Sequence, residues 1–124
     1  LPVSCASEVW VFFPDPWRKP RHRKRRLVTT AFADSVARVL RPGGMWRLAT
    51  DWADYAWQMR DVVEACPLLD NPHAGERPDP ADPRPDCGGF APRYEGRITT
   101  HFETRGLDAG RRAHDIVGAR VPRA

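Results

Sequence analysis

The sequence is poor in the features that mark metal, disulfide or membrane proteins. Its cysteines, Cys5, Cys66 and Cys87, are odd in number and far apart, which fits neither a disulfide framework nor a C-x2-C zinc spacing. His22, His73, His101 and His114 have no ligand spacing and no paired cysteine, so no metal centre is expected. No apolar run approaches the roughly 18 residues of a membrane span, and no basic segment followed by an apolar core and a cleavage site opens the chain. A reduced, cytoplasmic protein with no membrane association is the natural reading. A glycine-rich phosphate loop is also missing, because Gly43-Gly44 precedes a strand instead of joining a strand to a helix. There is no internal repeat. The opening residues lack an initiator methionine and run almost at once into a strand, which reads as the interior of a longer protein.

The 124 residues suit one modest domain, 1-124, and a chain of this size buries roughly two thirds of its unfolded surface. With 41% apolar and 29% charged residues the composition is globular, while 13 prolines and a mean hydropathy of -0.59 indicate substantial loop. A net charge of +4 is mild, so its distribution matters more than its sum.

Glu8 to Pro14, "EVWVFFP", has the apolar and aromatic content of a fully buried strand stopped by proline. From Leu27 to Leu40 the residues Val28, Phe32, Val36 and Leu40, with Ala31, Ser35 and Val39 beside them, predict an amphipathic helix. "RPGG" at Arg41 to Gly44 predicts a turn, Met45 to Thr50 a second strand, and Trp52 to Cys66 a helix facing inward through Tyr55, Met59, Val62, Val63 and Cys66. The alternation predicts a parallel sheet with crossover helices. Seven of the 13 prolines lie between Pro67 and Pro92, which predicts an irregular loop at about 67-92, with a short strand near Leu68 to Asn71. A short helix near His101 to Ala109 and a last strand near Ala113 to Val121 complete the reading.

Two acids, Asp15 and Asp51, follow predicted strands, where open α/β sheets place their ligands. Asp51 also suits a helix N-cap, and Asp15 a turn, although two flanking prolines and Trp17 form a stiffer frame than a turn requires. Arg18, Lys19, Arg21, Arg23, Lys24, Arg25 and Arg26 contain no acid among them and sit between a predicted strand and a predicted helix. That placement points to an anionic polymer at the lip of the site, with Arg25 or Arg26 free to pair internally with acids. Trp17 either stacks on a base or closes the loop. Thr100 and Glu103 by themselves read as a capping box.

Phe12-Phe13-Pro14-Asp15-Pro16-Trp17, with Lys19, Arg21-His22 and Lys24-Arg25-Arg26-Leu27 after it, resembles the signature of the bacterial tRNA (guanine-N7)-methyltransferases, which modify guanosine 46 of the variable loop. Ala49-Thr50-Asp51-Trp52 and Thr100-His101-Phe102-Glu103 resemble the family's two later motifs, in order. The resemblance implies an α/β fold: the part, from the fourth strand onward, of a seven-stranded Rossmann-like class I S-adenosylmethionine-dependent methyltransferase domain. It implies Asp15 as the catalytic and cofactor-adjacent residue, and Lys19, Asp51, Thr100, His101, Phe102 and Glu103 as substrate-binding positions. Arg21, Arg23 and Lys24 are assigned to RNA phosphates and tRNA is the implied partner, with the oligomeric state left open. His101 stands where the family commonly has Lys or Arg. The family's glycine-rich loop and ribose-binding acid are absent from these residues, so the chain by itself is expected to be inactive and to bind S-adenosylmethionine poorly. A non-enzymatic basic RNA-binding module or inactive fragment is the alternative. A methyltransferase of proteins or small molecules leaves the seven cations unexplained.

Overall fold

The computed structural model describes residues 4–73, 89–91 and 113–122. The elements are β1 (Ala6–Phe12), a short 3-10 helix (Pro20–Arg25), α1 (Thr30–Val39), β2 (Leu40–Thr50), α2 (Ala53–Ala65), β3 (Leu69–Asp70) and β4 (His114–Arg120). The anticipated helix at His101 to Ala109, the capping box at Thr100 and Glu103, Cys87 and most of the proline-rich loop lie outside the described residues.

One four-stranded sheet runs in the order β1-β2-β4-β3. β1 and β2 are parallel, in the register Val9 to Trp46 and Val11 to Leu48. β4 is antiparallel to both β2 and β3, so β3 runs the same way as β1 and β2. The expectation of a parallel sheet therefore holds for the first three strands and fails for the fourth. Residues after β3 return the chain in the opposite direction into the gap between β2 and β3, an arrangement open to mixed α/β sheets. Four strands are the number that a seven-stranded class I methyltransferase sheet has from its fourth strand onward.

Both helices lie on one face of this sheet. Gly118 of β4 pairs with Trp46 of β2 in the ladder, and directly opposed residues share a face. A Cβ at Gly118 would meet Val63 of α2 at 3.3 Å, while Trp46 packs edge-on against Phe32 of α1 with ring centroids 5.9 Å apart. Trp46, Leu48, Tyr55, Met59 and Ile116 are fully buried between sheet and helices. Burial of Leu48, Met59 or Ile116 contributes about 1.5–3 kcal/mol each.

α1 begins where Thr29 Oγ1 accepts the Phe32 backbone N–H at 3.2 Å. Its buried stripe is Ala33, Val36 and Ala37, continued by Leu40. Ala31 and Ser35, expected beside that stripe, are exposed, because the stripe follows i, i+3, i+4 from Ala33 and leaves Phe32 at its half-buried margin. α2 buries Tyr55, Ala56, Met59, Val62 and Val63, with Cys66 just past its end, as its periodicity predicts. The Cys66 thiol donates to Asp34 Oδ1 at 3.7 Å and joins the two helices. Burial raises its pKa, with the neighbouring Asp34 charge adding to the effect.

Two strand expectations need correction. β2 starts at Leu40, not Met45: Leu40 pairs with Ala6, then the register shifts and Arg41 to Gly44 bulge out before pairing resumes at Met45. Gly43 takes φ +81° there, and a Cβ on Gly44 would lie 2.9 Å from the Arg41 carbonyl oxygen. β1 is not fully buried. It is the edge strand, with Val9 and Val11 toward the helices and Glu8 and Trp10 on the other face, where Trp10 is 51% exposed. Trp10 donates from Nε1 to Glu8, which also pairs with Arg47 of β2 at 2.7 Å, and these two hydrogen bonds hold the Glu8 carboxyl below its ordinary pKa.

Candidate functional site

The carboxyl ends of β1 and β2 lie side by side, with Phe12 opposite Ala49 and the Phe13 N–H donating to the Ala49 carbonyl at 2.8 Å. Asp15 lies three residues beyond β1 and Asp51 directly follows β2, so both acids emerge at one sheet edge. β4 enters at that edge too, since His114 pairs with Thr50. Ala91 bridges to Asp115, which pairs on its other side with Ala49 of β2. The positions of Thr100, His101, Phe102 and Glu103 themselves lie outside the described residues.

The loop around Asp15 is held in an uncommon conformation. Phe13 and Trp17 adopt φ values of 54° and 40°, in the left-handed region that costs a non-glycine residue roughly 1–3 kcal/mol. Between them, Pro14 and Pro16 fix their own φ near the usual proline value. The Trp17 N–H donates to Asp15 Oδ1 at 2.9 Å, which confirms a turn role for the carboxylate and leaves Oδ2 without a partner among the described residues. Asp15 itself is exposed. Strain of this kind persists only where surrounding contacts overdetermine the backbone, and here those contacts come from the basic segment.

The basic segment forms a 3-10 helix, entered at Pro20 and closed by His22 N–H to Lys19 carbonyl and Arg26 N–H to Arg23 carbonyl bonds. Side chains three apart eclipse in such a helix, so the cations sort into three rows. Arg23 and Arg26 form the inner row, and both reach Asp54 Oδ2 of α2, at 3.2 and 2.8 Å. His22 and Arg25 form the second row, and both pack on Trp17, with centroids 5.8 Å apart for His22 and the Arg25 guanidinium 5.3 Å from the ring centroid. Arg21 and Lys24 form the third row, exposed and without an acid partner among the described residues. Lys19, at the N-cap, is likewise exposed, and Arg18 lies over the Trp52 ring at 5.2 Å.

Arg26 is the one buried member of the seven, its side chain only 2% exposed. Its Nε donates to the Pro16 carbonyl at 2.6 Å, Nη1 to Gln58 Oε1 at 3.0 Å and Nη2 to Asp54 Oδ2 at 2.8 Å, with the guanidinium 4.7 Å from the Tyr55 ring centroid. Burial of Asp54 is the largest single influence on its pKa and opposes ionisation. The hydrogen bond and charge of Arg26, with the charge of Arg23, outweigh it and hold the pKa below the ordinary value. The sequence leaves open whether Arg25 or Arg26 pairs internally; the structure pairs Arg26 and sets Arg25 on Trp17, and the partners of Arg26 are not legible in the sequence. The signal for them is the i, i+4 spacing of Asp54 and Gln58, which puts both on one side of α2.

Asp51 does not take the helix N-cap expected of it. Trp52 is the N-cap residue, without a side-chain cap, and its N–H donates to the buried Thr50 Oγ1 at 3.3 Å. Asp51 is half-buried one residue earlier, in the turn that Thr50 shapes. Trp17 is engaged by Arg25 and His22, which favours the loop-closing role over a free stacking platform. Phe90 belongs to the same edge and was not anticipated: it packs on His114 at 5.3 Å and lies under Arg60 of α2.

A family profile described as "Putative methyltransferase" matches residues 2–115. A tRNA (guanine-N(7)-)-methyltransferase of Cutibacterium acnes is 50% identical over 93% of this chain and 38% of its own length. Proteins of the same description from Arthrobacter sp. (strain FB24) and Xanthomonas oryzae pv. oryzae are 40% and 49% identical, over 98% and 96% of this chain. The chain spans about half the length of the Arthrobacter relative, 49%, and less of those from Xanthomonas oryzae and Cutibacterium acnes, 42% and 38%. The chain belongs to this methyltransferase family.

Proposed function

We propose that the protein transfers a methyl group from S-adenosylmethionine to N7 of guanosine 46 in tRNA, and that this chain supplies the catalytic carboxylate and the tRNA-facing cations. The observation that carries the reading is the pairing of one braced carboxylate, Asp15, at the ends of two parallel strands with an exposed row of cations on the adjoining 3-10 helix. Ligands of open α/β sheets bind outside the carboxyl ends of the strands. An exposed carboxylate oxygen with no partner among the described residues fits a sulfonium donor or the donor edge of guanine at that place.

Guanine N7 carries an in-plane lone pair and no proton at neutral pH, so the reaction needs no general base. S-adenosylmethionine, when bound, supplies the electrophilic methyl group. The protein's contribution is positioning, which can be worth several kcal/mol when the reacting atoms are held in line. N7 and O6 accept hydrogen bonds, and an arginine bridging them would block the nucleophile. The opposite edge of guanine donates from N1–H and the 2-amino group, which one carboxylate can accept together. Asp15 takes the place beside the reacting base, where its charge also favours the positive charge that develops on the ring. Asp51 and the segment Thr100 to Glu103 hold the nucleotide with Lys19. Arg21 and Lys24 contact phosphates, and Arg23 joins them only in part because Asp54 already neutralises it.

The test is to incubate the full chain, as it occurs in the cell, with unmodified tRNA and S-adenosylmethionine, then digest the RNA and analyse its nucleosides. 7-Methylguanosine from position 46 is expected. Binding of tRNA without any 7-methylguanosine would replace this reading with a non-enzymatic RNA-binding module.

A further inference from the structure

We propose that Arg26 is a positioning residue for Asp15 and takes no part in holding RNA, although it ends a run of seven cations. The inference rests on the reading of Asp15 given above. Asp15 is bracketed by two hydrogen bonds: its own Oδ1 accepts the Trp17 N–H at 2.9 Å, and the carbonyl of the next residue, Pro16, accepts Arg26 Nε at 2.6 Å. The first bond is local and would persist in many arrangements of the loop. Of these two bonds, the second is the one that reaches out of the loop, to a buried side chain.

Its far end is firmly built. The two remaining guanidinium nitrogens engage Gln58 and Asp54, one helical turn apart on α2, and the plane lies on Tyr55. Gln58 is itself fixed, donating from Nε2 to the Val28 carbonyl at 2.8 Å, and the Val28 N–H donates to the Tyr55 hydroxyl at 3.1 Å. The side chain thus joins the Asp15 loop to the first turns of α2, and Gln58 carries the link on to Val28, just ahead of α1. A guanidinium can do this because its donors form a rigid planar fork, whereas an ammonium has no fixed directions and no plane to stack. Being buried, Arg26 has no face to offer a phosphate without breaking these contacts. Arg23, on the same row, shares Asp54 but is half-exposed, so the inner row passes from a positioning end to a solvent-facing end within one turn.

The test compares Arg26→Lys and Asp54→Asn with the unaltered full chain. Three readouts are taken: hydrogen exchange of peptides covering residues 13–19, tRNA affinity as a function of salt, and methyl transfer at saturating tRNA and S-adenosylmethionine. Arg26→Lys is expected to remain folded by circular dichroism, to raise exchange in 13–19 at least fivefold and to lower kcat at least tenfold. Its tRNA Kd should stay within about twofold, with an unchanged salt slope. Asp54→Asn, which keeps the shape of the acceptor and loses its charge, is expected to raise exchange in 13–19 and lower kcat by smaller factors, while release of Arg23 leaves the salt slope the same or steeper. A weaker tRNA affinity with a shallower salt slope and unchanged exchange in 13–19 would overturn the proposal and make Arg26 a phosphate contact. Because exchange reports on the loop regardless of turnover, absence of methyl transfer in the unaltered protein would remove the proposed function and leave the loop-bracing role to be decided by exchange alone. Unchanged exchange in both variants would overturn it.

Discussion

The backbone N–H of Trp17 donates to Oδ1 of Asp15 over 2.9 Å, across a loop in which Trp17 itself is held at φ 40°. One carboxylate oxygen is thereby committed to the turn, and the other has no partner among the described residues. Asparagine can keep the first contact through its carbonyl oxygen. Asp15→Asn is therefore expected to preserve the loop while lowering kcat for methyl transfer by at least about tenfold, because the charge beside the reacting base is lost. tRNA Kd should change by less than about threefold. Steady-state kinetics with separate filter-binding measurements check both, and full turnover by the variant would contradict the assignment.

The sorting of cations into rows predicts unequal effects within one basic segment. Replacing Lys19, Arg21 and Lys24 together by glutamine removes three exposed charges that no acid among the described residues neutralises. The slope of log affinity against log salt should fall by about 2–3, at roughly 0.7–0.9 per phosphate contact. Arg23→Gln alone should change the slope by less than one contact's worth, since Asp54 already holds that side chain at 3.2 Å. Equal slopes in all variants would show that these side chains face away from RNA.

Much of this arrangement was legible in the sequence, and the parts that were not have physical reasons. The inward face of α2 follows directly from a 3.6-residue period, so Tyr55, Met59, Val62, Val63 and Cys66 are buried as read. Asp15 and Asp51 at adjacent strand ends follow from β1 and β2 being parallel neighbours. The reversed direction of β4 has no local signature, because an antiparallel and a parallel strand carry the same apolar pattern when both faces are covered. The exposure of Trp10 departs from the composition for a related reason: composition reports what a strand tolerates, whereas exposure depends on which strand lies next to it in the sheet. The sorting of the seven cations needed the 3-10 geometry. At an α-helical period Arg23 and Arg26 are also neighbours, but the shared face of His22 and Arg25 and that of Arg21 and Lys24 would not separate so cleanly.

The buried hydroxyl of Tyr55 gives a stability prediction independent of the site's chemistry. Tyr55→Phe keeps the ring beneath Arg26 and removes the acceptor of the Val28 N–H. Both residues are fully buried, so the N–H is left unpaired, at a cost of about 1–3 kcal/mol. Urea unfolding should show a lower midpoint with an unchanged slope. An unchanged midpoint would mean that the Val28 amide finds another partner.

The lowered pKa of Asp54 gives a pH dependence with a definite sign. Its unfolded value is near 3.8 and its folded value lies below that. Between the two, the unfolded chain binds more protons than the folded one. The stabilisation is therefore fully present above the unfolded value and is lost as the pH falls through the folded one. The stability gap between the unaltered protein and Asp54→Asn should be widest near neutrality and should narrow as the pH falls through the unfolded value near 3.8 and below it. A gap that stayed constant over that range would show that Asp54 is not held ionised by Arg26 and Arg23.

The central claim, that Asp15 serves methylation of guanosine 46, is tested most directly in the cell. Transfer RNA is isolated from cells whose chromosomal copy of the gene carries Asp15→Asn and from unaltered cells, and 7-methylguanosine at position 46 is quantified by mass spectrometry of nuclease fragments. The account predicts a loss of at least about tenfold at that one position, with protein abundance and the other modified nucleosides unchanged. Undiminished 7-methylguanosine at position 46 would contradict it.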